Sequence, residues 1–167
     1  MDIMLTELQQ KNVWDGWLAS EIRAHYFADL CGKYQQRQRT VTVLTLVFSS
    51  GAFVTLISDW FPPAWAWVKP MLALLTAVLS LWSLVAQNHK NATDCADLHF
   101  RWNTLASQYE ALWNSKMYAA DADTILHTLI QREAEISKSC TSFPNDAEPM
   151  DKWQDLVVRH HAAAMAA

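Results

Sequence analysis

Four polar residues, Thr76, Ser80, Ser83 and Gln87, recur at 4-3-4 spacing, and Thr42, Thr45 and Ser49 repeat the pattern over a shorter reach. On a helix this spacing sets hydroxyls along one face. Two chemistries use such a stripe. Several copies assembled around an axis can line a water-filled pore with it. Equally, the hydroxyls can bond their own backbone or bridge neighbouring helices, with small residues permitting close approach. Gly51 and the Ala73/Ala77 pair suit that second use. The two uses do not exclude each other. A second constellation is cationic and aromatic. Lys33, Arg37, Arg39, Lys90 and Arg101 are interleaved with Tyr34 and Trp102, and Tyr109, Trp113 and Trp153 follow. Arg beside aromatic rings is equipment for a phosphate-bearing ligand whose bases stack. The plainer use is contact with lipid headgroups. Arg37, Arg39, Lys90, Arg101 and Trp102 are the ligand-binding candidates.

Catalytic chemistry has no comparable support. No Gly-rich phosphate loop, HExxH or Gly-x-Ser-x-Gly occurs, so no enzyme activity and no cofactor are expected. Asp94, Asp97 and His99 lie close together but lack a full ligand set, and no metal is expected. His160 and His161 are adjacent and point to different helix faces. Cys31, Cys95 and Cys140 have no CxxC spacing, which fits a reducing compartment. A net charge of -4 and pI near 5.8 argue against coating by nucleic acid.

The elements that must hold the hydroxyl stripes are two charge-free apolar runs. The first, 40–58, has 19 residues between Arg39 and Asp59; the second, 70–89, has 20 between Lys69 and Lys90. At about 1.5 Å per residue, each can just cross a hydrocarbon core about 30 Å thick. They occupy only part of 167 residues, so mean hydropathy averages to -0.04 and hides them. The first run holds ten Val, Leu, Ile and Phe residues. Together these favour insertion by about 3 to 6 kcal/mol, which one central charge would nearly cancel. Between the runs, Trp60, Phe61, Trp65 and Trp67 surround Pro62-Pro63, an interfacial aromatic belt around a forced reversal. Lys33, Arg37 and Arg39 before the first run and Lys90 after the second put both termini in the cytoplasm. Asn91-Ala92-Thr93 matches a glycosylation sequon but falls on that inner side. No cleavable signal peptide is expected; the first run would serve as the insertion signal.

The expected fold is all-α: a two-span transmembrane helical hairpin with long cytoplasmic helical extensions forming a bundle, assembled as a homo-oligomer. Residues 1–39 form the N-terminal arm, 40–89 the hairpin and 90–167 the C-terminal helical region. In the arm, Leu5, Leu8, Trp14, Trp17, Leu18, Ile22, Tyr26, Leu30 and Tyr34 fall on three-and-four spacing, with a break near Gly16 and continuation into the first span. After the second span Leu98, Trp102, Leu105, Tyr109 and Leu112 repeat as 4-3-4-3, to pack on the N-terminal arm or to make subunit contacts. A shorter helix over 122–137 carries Ile125, Leu129 and Ile136, capped by Asp121 or Asp123; residues 141–149 form a loop; a last helix spans 151–165.

The polar N-terminal helix, the two apolar runs and the Trp102, Leu105, Tyr109, Leu112, Trp113 stripe together resemble the SLATT domain. SLATT chains are two-span effectors found beside nucleotide-signalling enzymes in bacterial anti-phage systems. The resemblance implies a homo-oligomeric inner-membrane pore, taken as a tetramer, whose opening depolarises the cell and arrests growth. It also implies control by a nucleotide or single-stranded oligonucleotide made by a partner nucleotidyltransferase. A stand-alone SLATT chain is similar to the channel of the Hailong system, where an oligodeoxynucleotide keeps the channel shut. With no fused sensor, the arms would be both sensor and gate. The alternative is a membrane-anchored interaction module that recruits a protein partner through its helices.

Overall fold

The computed structural model describes residues 5–50, 67–116 and 121–166. Among them the chain is helical throughout, with no strand. Helix α1 is Glu7–Ser49, α2 Val68–Ala86, α3 Asn88–Ala111, α4 Ala122–Ser139 and α5 Ala147–Ala166. Local chemistry accounts for some of the ends; at α4 Asp121 is the N-cap, but its side chain makes no cap hydrogen bond. Thr6 and Gln9 form a capping box: the Gln9 N–H donates to Thr6 Oγ1 at 3.3 Å, and the Thr6 N–H donates to Gln9 Oε1 at 2.9 Å. No proline interrupts α1, and the expected break near Gly16 does not occur. A π-helical turn, Leu112–Lys116, closes α3, and a 3-10 turn, Cys140–Ser142, follows α4. Pro149 lies in the first turn of α5, where its missing N–H costs nothing, so this helix starts four residues earlier than the expected 151.

The chain divides into two compact units, Met1–Leu30 with Asp94–Ala167, and Cys31–Thr93. The expected divisions at 39/40 and 89/90 lie a few residues inside the second. The first unit is a helical bundle with its own core. Leu98, Trp102, Leu105, Tyr109 and Leu112, the whole 4-3-4-3 stripe, are buried within the chain, together with Val13, Phe27, Leu126, Leu129 and Ile136. The stripe therefore packs inside the bundle and is not available to a second copy. Gly16 is required by this packing. A Cβ there would come within 2.6 Å of the Tyr109 ring, so the helix accepts glycine's entropic cost to let that ring lie against its backbone. In α4 the buried side is Ala122, Leu126, Leu129 and Ile136, with Ile125 only half-buried.

Within the described part of the second unit, one element departs from the expected hairpin. The run 70–89 is not a single helix. α2 ends at Ala86, Gln87 takes a left-handed conformation (φ 45, ψ 31), and α3 begins at Asn88. A left-handed residue stops a helix by turning its carbonyls away, at a cost of about 1 kcal/mol for a side chain other than glycine. The new helix starts at once, with the Asn91 N–H donating to the Gln87 carbonyl at 2.9 Å.

Among the described residues no helix is long and apolar enough to cross a membrane. The apolar part of α1 that is described covers only 40–49, about 15 Å of rise. The uncharged part of α2 covers 70–86, about 25 Å. The rest of the first expected span, 51–58, and most of the aromatic connector lie outside the described residues.

Candidate functional site

The second unit carries a groove of about 690 Å³. α1 carries Lys33, Arg37 and Thr40 on one face, at i, i+4 and i+7, and Tyr34 and Val41 lie beside them. The end of α2 supplies Trp82, and the start of α3 supplies Asn88 and Asn91. The left-handed Gln87 is what brings the last three together, because a continuous helix would keep 82, 88 and 91 on a single rod. Asn88 is buried, at 6% exposure, and Trp82 is exposed, at 64%. Two cations, the three amides Gln36, Asn88 and Asn91, and two aromatic rings thus share one concavity, and among the described residues no carboxylate lines it. Such a lining is matched to an anion with an apolar or aromatic body, phosphate above all.

Of the five ligand-binding candidates, Arg37 lines this groove. Arg39 and Lys90 are exposed in the same unit but do not line it. Arg101 and Trp102 belong to the first unit. Arg101 pairs with Asp97 one turn away at 2.8 Å, with both side chains about half exposed. Trp102 is fully buried in the core. The structure therefore does not gather the five into one site. Sequence reasoning passed over Trp82, Asn88 and Asn91 as ligand groups. The available signal was the amide-rich stretch Gln87, Asn88, Asn91 at the end of an apolar run.

The hydroxyl stripe is placed residue by residue. Ser80 is exposed, and its hydroxyl donates to the Thr76 carbonyl at 2.9 Å, while Thr76 is half-buried. Thr42 is exposed and accepts from Gln38 Nε2 at 3.4 Å; Thr45 is half-buried. Gln87 is exposed at the helix break, out of register with the stripe. The side chains of Ser49 and Ser83 lie outside the described part.

The polar chemistry of the first unit is concentrated around Glu133. Arg23 Nη1 donates to Glu133 Oε1 at 2.9 Å, and the Tyr109 hydroxyl donates to Glu133 Oε2 at 3.4 Å. Burial, then the Glu133 charge and its hydrogen bond, hold the Tyr109 phenol far above its ordinary value. The Arg23 guanidinium lies over the Trp102 ring, 4.6 Å from its centroid. Burial also pushes the Cys140 thiol up, against the opposing pull of the Trp102 indole and Arg23. His161 is buried between the Trp14 and Trp17 rings, with Nε2 at 2.7 Å from Glu21 Oε2. His160 is exposed. His99 Nδ1 lies 2.8 Å from the Ala24 carbonyl, and among the described residues no group of three or more His, Cys, Asp and Glu is placed to hold a metal. No protein family, curated protein or solved structure matches this chain.

Proposed function

We propose that the second unit inserts in a membrane and that several copies assemble there into a pore for ions, with the first unit as its soluble, regulatory part. One observation carries this reading: α2 exposes a row of bulky apolar side chains that a soluble helix would bury. Leu74, Val78, Leu81, Trp82 and Val85 share one face and are all exposed, from 52 to 77%. Ala73, Thr76, Ala77 and Ser80 lie on the adjoining side of the helix, Thr76 half-buried and the other three exposed. In water the bulky face would be turned inward. In a bilayer bulky apolar groups face lipid, while small residues and hydroxyls face other helices or a pore. No single described helix reaches across a full hydrocarbon core. The uncharged length of α2 falls short by about 5 Å, a mismatch that local thinning of the bilayer absorbs at a fraction of a kcal/mol per Å. Two helices cannot enclose a pore, so the conducting form is an oligomer.

In this reading the groove at Lys33 and Arg37 marks the headgroup level. It is also the place where a phosphate-bearing regulator, including the nucleotide or oligonucleotide implied by the SLATT resemblance, would act on the hairpin. The test is ion flux from vesicles of phosphatidylcholine and phosphatidylglycerol carrying the full chain. Flux that is lost on Ser80→Trp and kept on Leu81→Trp supports the pore. Vesicle association without flux favours a membrane anchor that recruits a partner, and absence of association sinks both.

A further inference from the structure

The first unit holds a cavity of about 370 Å³, independent of the groove and of the apolar surface. Its polar lining is Arg23, Tyr26, Trp102, Ser137, Cys140, Thr141 and Asn145. Every one of these can donate a hydrogen bond, and Arg23 is the only charged residue among the lining groups. Arg23 gives one N–H to Glu133 and keeps further donors of its five.

Trp102 supplies the second, independent observation. Its side chain is fully buried, and Nε1 finds no hydrogen-bond acceptor in the protein. A buried indole N–H left without an acceptor costs about 1 to 3 kcal/mol, and native structures rarely tolerate one. The neighbouring bundle could have supplied an acceptor and does not. Trp102 and Cys140 both line the cavity. The remaining walls are apolar: Phe143 packs edge-on against Phe27 at 5.9 Å, and Met150 completes the lining. The Tyr26 hydroxyl donates to the Pro144 carbonyl and ties the loop after Cys140 across the cavity.

We propose that this cavity is a binding site for a small organic anion, a carboxylate or phosphate on an apolar body. Arg23 meets the charge, the Trp102 indole N–H donates to one of its oxygens, and Phe143 and Met150 cover the apolar part. An acceptor at this position removes the cost of the orphaned N–H, and the ligand therefore also tightens the core around Trp102.

Alkylation of the three cysteines by N-ethylmaleimide in the full chain, read by mass spectrometry, tests this. The probes are benzoate and phenyl phosphate, which separate a carboxylate site from a phosphate site. Cys140 lines the cavity, Cys31 lies in the other unit and Cys95 is buried, so each reaction carries its own controls. A probe present at about ten times its Kd slows Cys140 about tenfold and leaves Cys31 unchanged. Arg23→Gln abolishes that protection while Cys95 stays unreactive. Should Cys95 become reactive in this variant, Asn145→Leu, at an exposed loop position, narrows the cavity without touching the Arg23–Glu133 pair and weakens protection several-fold. Cys140 unprotected by either probe at about 10 mM, well above a millimolar Kd, or protected equally in both variants, overturns the proposal.

Discussion

Trp102 and Trp82 are the same residue type in two different physical situations. Trp102 is 0% exposed at the centre of the first unit, with a guanidinium on its face; Trp82 is 64% exposed in the second unit, on a helix whose bulky side chains point outward. The first unit satisfies its own hydrophobic surface. It buries a continuous stripe on α3 against Val13, Gly16 and Phe27 of α1 and Leu126, Leu129 and Ile136 of α4. The second unit does not satisfy its own, since α2 leaves more large apolar residues exposed than it covers. That exposed apolar surface is what the proposal of membrane insertion rests on. If the proposal holds, the first unit is stabilised within the chain and the second by its surroundings.

The sharpest way to break this comparison is to truncate both tryptophans. Trp102→Ala should cost about 3 to 5 kcal/mol in chemical denaturation followed by circular dichroism, because it empties a full aromatic volume from a packed core. Trp82→Ala should change the same measurement by no more than about 0.5 kcal/mol, and should instead weaken binding to vesicles. Equal losses at the two positions would mean that the units are stabilised alike.

Glycines give the next largest contrast. An added Cβ at Gly16 meets the buried Tyr109 ring at 2.6 Å, whereas at Gly32 it meets nothing within 4 Å. Gly16→Ala should destabilise, since overpacking at about 1 to 3 kcal/mol exceeds a gain in helix propensity of about 1. Gly32→Ala should stabilise by up to about 1 kcal/mol, the propensity gain alone. Thermal unfolding of the two variants should shift in opposite directions.

Alkaline pH should act on the first unit alone. Tyr109 and Cys140 both have folded-state values raised above their ordinary 10 and 9. A raised value means that the folded state holds the proton more tightly than the unfolded state does. The stabilisation is fully present below about pH 9 and is lost as pH climbs beyond it. Tyr109→Phe should flatten the tyrosine share of that decline. A decline of unchanged slope in this variant would place the loss elsewhere. The smallest effect belongs to the exposed Arg101–Asp97 pair. Asp97→Asn should change stability by about 0.3 to 0.5 kcal/mol at low salt and by less at high salt.

How far the sequence could be read depended on whether a feature was local. Helix α3 and its buried stripe were legible because five residues at 4-3-4-3 spacing admit one periodicity, and a stripe that wide must be buried by something. The alternative that the stripe meets another subunit could not be removed from spacing alone, and it fell only when all five residues proved buried within one chain. The break at Gln87 was illegible: glutamine is a good helix former, and no proline or glycine stands nearby. Consequently Trp82, Asn88 and Asn91 could not be assigned to the groove with Arg37. Arg101 and Trp102 were adjacent in sequence to plausible ligand groups, yet one is spent on Asp97 and the other on the core.

By itself the sequence determined that this chain is helical and where its apolar runs lie, because period and charge are properties of neighbours along the chain. Only the tertiary structure decided which face of each helix is covered, that Gly16 must be glycine, that the Trp102 N–H is left without an acceptor beside Arg23, and that a groove forms at Lys33 and Arg37. Those depend on distances between residues far apart in sequence, such as Gly16 and Tyr109 or Arg23 and Trp102, and such distances are fixed by the packing of whole helices.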